Sequence, residues 1–258
     1  MLLKKRKIIN RMKIAVCQFA PSFENKEKSK ETIRRLLKRS GESFDWLVFP
    51  EMTLSGFSMK PEISRLTEKD GSFFAKTAEE RRSFVSYGGT EDGYNILLTV
   101  DGYGKTVNRY RKAHLFSYAG ENSVYSAGGG SGCFRLGDIS VSPSICFDLR
   151  FAYHYWETAN DTDIYLIIAA WPESRREHWK TLLRARAIEN EAFVVGVNRT
   201  GYENTLKYSG DSSIYSPTGD ILLDCGNEEG IFVTDLGDVR GKRDYIRNKF
   251  PFIKERKK

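Results

Sequence analysis

The 258-residue chain predicts an α/β protein in which mixed strands form a sheet or sheets covered by helices. Three observations carry that class. Short apolar runs rich in strand formers alternate from end to end with segments whose apolar residues recur at helical spacing. No Pro/Ser/Gly linker and no short-period repeat interrupts them, so one domain is expected. The composition, 40% hydrophobic and 29% charged, is that of an ordinary globular chain.

The elements follow in order. Lys13 to Ala20 (KIAVCQFA) reads as a buried strand, and Lys26 to Arg39 as a surface helix with Ile33, Leu36 and Leu37 on one face, closed by Gly41. Asp45 to Pro50 is a second buried strand; a short helical stretch around Ser72 to Arg82 leads to a third near Phe84 to Gly88. Tyr94 to Val100 and Thr106 to Arg111 flank Asp101-Gly102-Tyr103-Gly104 and predict a hairpin. Ile139 to Ile145 is a strand, Phe151 to Asn160 a helix, Ile164 to Ala169 a strand, Glu177 to Asn190 a helix and Phe193 to Asn198 a strand. Ser212 to Tyr215, Ile221 to Asp224 and Ile231 to Asp235 predict a closing meander, with Pro217-Thr218-Gly219-Asp220 as a turn. Periodicity leaves open whether one doubly wound sheet or two stacked sheets result.

The formal charge of +7 resides in the termini. Residues 1 to 13 carry six basic side chains and no acid, and residues 242 to 258 carry eight against two, leaving a mildly acidic body. Basic tails do not make a groove that tracks phosphates, so no nucleic-acid partner is expected. Met12 opens the first strand pattern, so residues 1–11 read as a basic extension and 12–258 as the domain; intact-mass measurement on native protein tests the boundary. No run of 18 apolar residues and no apolar leader follows the basic start, which predicts a cytoplasmic protein without a membrane partner. The four cysteines are scattered and the three histidines stand in unrelated contexts, so neither a metal centre nor a disulfide framework is expected.

Three polar residues stand at or just past the ends of apolar strands, where α/β proteins gather their sites. Glu51 ends DWLVFPE and is either a solvated turn acid or a buried general base. Lys112 follows TVNRYR, which reads equally as a charge-protected edge. Cys146 falls at a strand-to-helix junction, CFDLRF, where free N–H groups would lower the thiol pKa and bind an oxyanion; the alternative is an inert buried cysteine.

In combination and in this order, the motifs MKIAVCQFAP, LVFPEMTLSGF, YRKAHLF, SICFDLRF and AAWPESRREHWKTLLRARAIENEAFVVGVNRTG resemble the carbon-nitrogen hydrolase (nitrilase) superfamily from about Met12 to Asp235. The resemblance implies a four-layer αββα sandwich, usually paired as a homodimer, and a Glu51-Lys112-Cys146 triad. It implies that Glu51 takes the Cys146 proton, that Lys112 and the Phe147 N–H hold the oxyanion, that a thioester forms and is hydrolysed, and that Glu121 helps order the lysine. No metal or organic cofactor is implied.

Within the superfamily, CFDLRF, WPESRREHW and LRARAIENEAF are most similar to ω-amidases, which hydrolyse the terminal amide of 2-oxoglutaramate and 2-oxosuccinamate. True nitrilases usually carry Cys-Trp-Glu where this chain has Cys146-Phe147-Asp148. Arg150 and Arg175, with Trp171 between them, are candidates for binding a substrate carboxylate; the arginines could equally be satisfied by Asp148 or Glu173. Ala152 stands where many members have Pro, and the Gly56–Phe84 segment is short for the helix expected there. Other amidase or N-carbamoyl substrates, a Cys146–His154 or Cys146–His114 thiol hydrolase, and a non-catalytic anion binder are the alternatives.

Overall fold

The structure, a computed structural model, describes residues 11–130 and 132–256. In chain order its first half holds β1 (Arg11–Gln18), α1 (Lys26–Arg39), β2 (Trp46–Val48), α2 (Pro61–Ser64), α3 (Glu68–Arg81), β3 (Phe84–Glu91), β4 (Tyr94–Val100) and β5 (Thr106–Arg111). Next come β6 (Phe134–Leu136), β7 (Ile139–Ile145), a 3₁₀ turn over Cys146–Arg150, α4 (Ala152–Trp156), β8 (Ile164–Ala169), α5 (Arg176–Asn190) and β9 (Phe193–Asn198). The remainder is β10 (Thr200–Glu203), β11 (Leu206–Ser209), β12 (Ser213–Tyr215), β13 (Ile221–Asp224), β14 (Gly230–Asp238), α6 (Val239–Lys249) and α7 (Phe252–Glu255).

Two six-stranded sheets form, ordered β14-β1-β2-β3-β4-β5 and β13-β12-β9-β8-β7-β6, with β10 and β11 as a separate pair. Each sheet has three parallel strands at its heart, β1-β2-β3 and β7-β8-β9, and antiparallel strands outside them. The layering follows from strand alternation, since successive side chains point to opposite faces. Met12, Ile14 and Val16 of β1, Trp46 and Val48 of β2, and Leu97 of β4 face the second sheet and share one core with Val141, Leu166 and Val195. Their neighbours Ala15, Cys17, Leu47, Ile96 and Leu98 pack instead against Ile33, Leu36 and Leu37 of α1 and Phe74 of α3. Trp179, Leu183 and Ala187 of α5 cover the other sheet, completing the four layers of an αββα sandwich. Each fully buried aliphatic side chain contributes about 1.5–3 kcal/mol.

Several expectations change. The closing strands are not one meander: β12 and β13 pair with each other, but β14 crosses to the first sheet and runs antiparallel to β1, with Ile14 opposite Thr234. Its alternation suits a shared edge, because Phe232 and Leu236 face the inter-sheet core while Ile231 and Val233 face α1. The helix expected over Phe151–Asn160 is only α4, because Phe151 is extended and Thr162 bonds back to the Thr158 carbonyl in a turn. The Gly56–Phe84 segment holds two helices. The second begins at Glu68, where Thr67 and Asp70 form a reciprocal capping box. The C-terminal helices α6 and α7 carry no strong apolar stripe and escaped the sequence reading. Residues 1–10 of the expected extension lie outside the described residues, and Arg11 belongs to β1, opposite Asp238. Among the described residues no helix is long and apolar enough to cross a membrane.

Candidate active site

The parallel strands of the two sheets end on the same side, and their carboxyl ends deliver the site. Glu51 follows β2. Its turn is clamped to β3, where Thr53 N donates to the Gly88 carbonyl (3.1 Å) and Gly88 N donates to Thr53 Oγ1 (3.0 Å). A Cβ on Gly88 would lie 2.7 Å from Met52 N and 3.0 Å from Glu51 Cα, so only glycine lets the turn approach this closely. Lys112 follows β5 and is fixed by its N–H to the Asn95 carbonyl (2.8 Å). Cys146 follows β7 at φ +48°, a left-handed conformation that breaks the strand and starts the 3₁₀ turn.

Glu51, Lys112 and Glu121 are fully buried and bonded to one another. Lys112 Nζ donates to Glu51 Oε1 (2.9 Å), Glu121 Oε1 (3.0 Å) and Glu121 Oε2 (2.9 Å). An ammonium with three protons thus faces three carboxylate oxygens. Burial works against the charge on Lys112, but Glu51 and Glu121 outweigh it and lift its pKa above the usual lysine range. The second oxygen of Glu51 accepts from Ala170 N (2.8 Å), and Glu121 Oε2 also accepts from Phe116 N (2.7 Å). Asn95 Nδ2 bridges the acids, 2.7 Å from Glu51 Oε1 and 2.8 Å from Glu121 Oε1.

Cys146 Sγ is 3.9 Å from the Ala170 carbonyl, so one residue brackets both thiol and acid through its C=O and N–H. The expectation of a lowered thiol pKa is corrected. Burial and the negative charge of Glu51 push it well above the ordinary value against the pull of Lys112, so the resting group is the thiol. Phe147 sits in the first turn after Cys146, where N–H groups lack intrahelical partners.

The thiol opens on a cavity of about 160 Å³ walled by Phe57, Phe116, Phe147, Trp171, Leu206 and Tyr208. Arg150 and Arg175 are the two charged side chains in its lining. Arg150 lies over the Trp171 ring (4.8 Å) with Nη2 3.2 Å from His178 Nδ1, and Arg175 lies over Phe116 (5.3 Å). Neither uses the acids that could have satisfied it. Asp148 accepts from Tyr110 Oη, Ile145 N and His114 N, and Glu173 pairs with Lys207 (2.9 Å). Burial and the neighbouring Arg175 lower the Arg150 pKa from its ordinary value. His114 and His154 face Asp148 and Tyr110 behind the Cys146 turn, not the thiol. Among the described residues no group of three or more His, Cys, Asp or Glu side chains is arranged to hold a metal.

Asn95 escaped the sequence reading, as did the hairpin β10–β11 that brings Leu206 and Tyr208 to the cavity. An amide inside YNILLTV, an otherwise apolar and β-branched strand, is the one signal that marked Asn95. The hairpin is anchored by Glu203, which pairs with Arg199 and accepts from Phe57 N (3.1 Å).

The chain is similar to known proteins over nearly its whole length. It is 33% identical to the 2-oxoglutaramate amidase of Bacillus subtilis over 235 residues, covering 86% of this chain and 90% of that protein. It is 36% identical to the omega-amidase YafV of Escherichia coli K12 over 213 residues, 80% and 82% of the two chains. The crystal structure of a CN-hydrolase superfamily protein from Xanthomonas campestris superposes with a TM-score of 0.89 at 27% identity, covering 96% of this chain and 98% of that one. Residues 13–242 match the carbon-nitrogen hydrolase family, and the chain belongs to it.

Proposed function

We propose that this carbon-nitrogen hydrolase is an ω-amidase that releases ammonia from the terminal amide of short oxo acids of the 2-oxoglutaramate and 2-oxosuccinamate type. The observation that carries the reading is the cavity. It is apolar and opens on Cys146, and its charged side chains are two arginines without a carboxylate partner among the described residues. Such a pocket suits a small amide with a carboxylate at its far end. The names of the relatives from Bacillus subtilis and Escherichia coli support the same substrate class.

In this reading Glu51 removes the Cys146 proton and the sulfur attacks the amide carbon. Once protonated, Glu51 loses its charge and its grip on Lys112, whose freed N–H joins that of Phe147 on the oxyanion. Glu51 passes the proton to the nitrogen, ammonia leaves, and a thioester remains. Water enters, Glu51 takes its proton, and the acid is released with the thiol restored. Glu121, still bonded to Lys112, holds the ammonium in place throughout. A homodimer and a cytoplasmic location belong to the same proposal, the first open to light scattering and the second to cell fractionation.

The test is ammonia release from 2-oxoglutaramate, 2-oxosuccinamate, glutamine, asparagine, N-carbamoyl amino acids, neutral amides and nitriles, with Cys146→Ala as the blank. Release from the oxo-acid amides, with KM raised about tenfold or more in Arg150→Ala and Arg175→Ala, is expected. Unchanged KM for the oxo-acid amides in both arginine variants would rule out the carboxylate subsite.

A further inference from the structure

The charge of the buried cluster does not balance. Two carboxylates, Glu51 and Glu121, face one ammonium, and all three side chains are fully buried. In such surroundings one acid of a pair takes up a proton unless further donors hold both as anions. The two Oε1 atoms lie on the same two nitrogens: Lys112 Nζ at 2.9 and 3.0 Å, and Asn95 Nδ2 at 2.7 and 2.8 Å. The amide has two hydrogens, one for each acid. Its oxygen, Asn95 Oδ1, is buried and without a partner among the described residues, so this side chain is oriented by what it donates and not by what it accepts. Rotating the amide by half a turn would place that oxygen against two carboxylates.

We propose that Asn95 is a positioning residue for the reaction: it holds Glu51 and Glu121 together on Lys112 while both are anions, and so keeps Glu51 free to receive the thiol proton. The inference rests on the reading of Glu51 as the base. The groups that face the pair are few. Lys112, Cys146, Glu203 and Tyr208 act on Glu51, and Lys112, Cys146 and Tyr125 on Glu121. Of these Lys112 alone carries a positive charge, and it is already paired with both acids.

The experiment uses the full chain with Asn95→Ser, Asn95→Leu and Asn95→Asp. The rate of Cys146 alkylation by iodoacetamide, followed on the peptide that contains it, and kcat/KM for ammonia release are measured from about pH 5 to about pH 9. Alkylation needs the same proton transfer but no substrate. Losing the donor moves the acid limb of both profiles to higher pH, by about one unit for Asn95→Leu. The shift is smaller for Asn95→Ser, which keeps one donor, and largest for Asn95→Asp, which adds a third acid. A purely structural residue would lower rates at every pH and leave the limb in place. Unmoved limbs in the variants that melt within a few degrees of the wild type overturn the proposal. If Asn95→Asp fails to fold, the order of the serine and leucine variants decides it. Should no oxo-acid amide be turned over, the substrate assignment fails, while the alkylation limb still tests Asn95.

Discussion

Lys112→Met is the perturbation whose consequences the structure defines most fully. The side chain is similar in length but removes the one ammonium facing Glu51 and Glu121, which lie about 3 Å from its nitrogen at full burial. Breaking a buried ion pair by deleting one partner costs about 3–5 kcal/mol. For a chain of this length that lowers Tm by about 6–20 °C. The loss depends on pH in a defined direction. With Lys112 gone, one folded-state carboxylate is pushed above its unfolded pKa, so the folded protein binds the extra proton. Stability then falls as pH rises between the unfolded and folded values, making the penalty largest at alkaline pH and smaller near pH 5. Asn95 and Ala170 N still donate to Glu51, so the fold survives. The double variant Lys112→Met/Glu121→Gln removes the surplus charge and should recover much of the lost Tm, yet neither variant regains ammonia release, which falls by about 10²–10³-fold or more. Calorimetry at several pH values with an ammonia assay separates the two effects. A Lys112→Met protein that melts like the wild type at alkaline pH would refute the charge argument, and a double variant with normal turnover would refute the role of Lys112 in the chemistry.

Other outcomes follow from single contacts. Gly88→Ala drives a methyl into the backbone of the Glu51 turn; it should cost about 1–3 kcal/mol and most of the activity, measured by urea unfolding and ammonia release. Normal activity would show that the turn yields without moving the acid. Asp70 is buried, which opposes its charge, but Lys26, Lys30 and the Thr67 cap hold its pKa down at about 2. Its folded value lies below its unfolded one, so its stabilisation is present above about pH 4 and is lost as pH falls through about 2. Wild type and Asp70→Asn should therefore differ by about 2 kcal/mol at neutral pH and converge in acid, as denaturant titrations would show.

Much of this molecule is local and legible. The helix Lys26–Arg39 and the strands Tyr94–Val100, Thr106–Arg111, Ile139–Ile145, Ile164–Ala169 and Phe193–Asn198 stand where periodicity and turn residues place them. The positions of Glu51, Lys112 and Cys146 at strand ends are likewise written in the chain, as are the motifs that tie it to its family. What escaped is non-local. Tyr94-Asn95-Ile96 looks like strand filler because nothing nearby in sequence shows that two acids, one 44 residues before and one 26 after, will close on the same amide. The hairpin Thr200–Ser209 becomes a cavity wall through contacts distant in sequence, among them Glu203 to Phe57 N, Lys207 to Glu173 and Thr200 N to the Phe19 carbonyl.

Residue type and spacing therefore determined most of the elements and the α/β class, because these depend on contacts a few residues apart, and the resemblance of the motifs singled out Glu51, Lys112 and Cys146. The tertiary structure decided the rest. Stacking the two sheets brought Glu51, 95 residues before Cys146, to the amide of the residue whose carbonyl faces the thiol, and sent β14 to β1 instead of to β13. The same packing excluded water from the cluster, and that desolvation, which no local pattern encodes, keeps Cys146 a thiol and makes a single amide, Asn95, matter to the charge of the site.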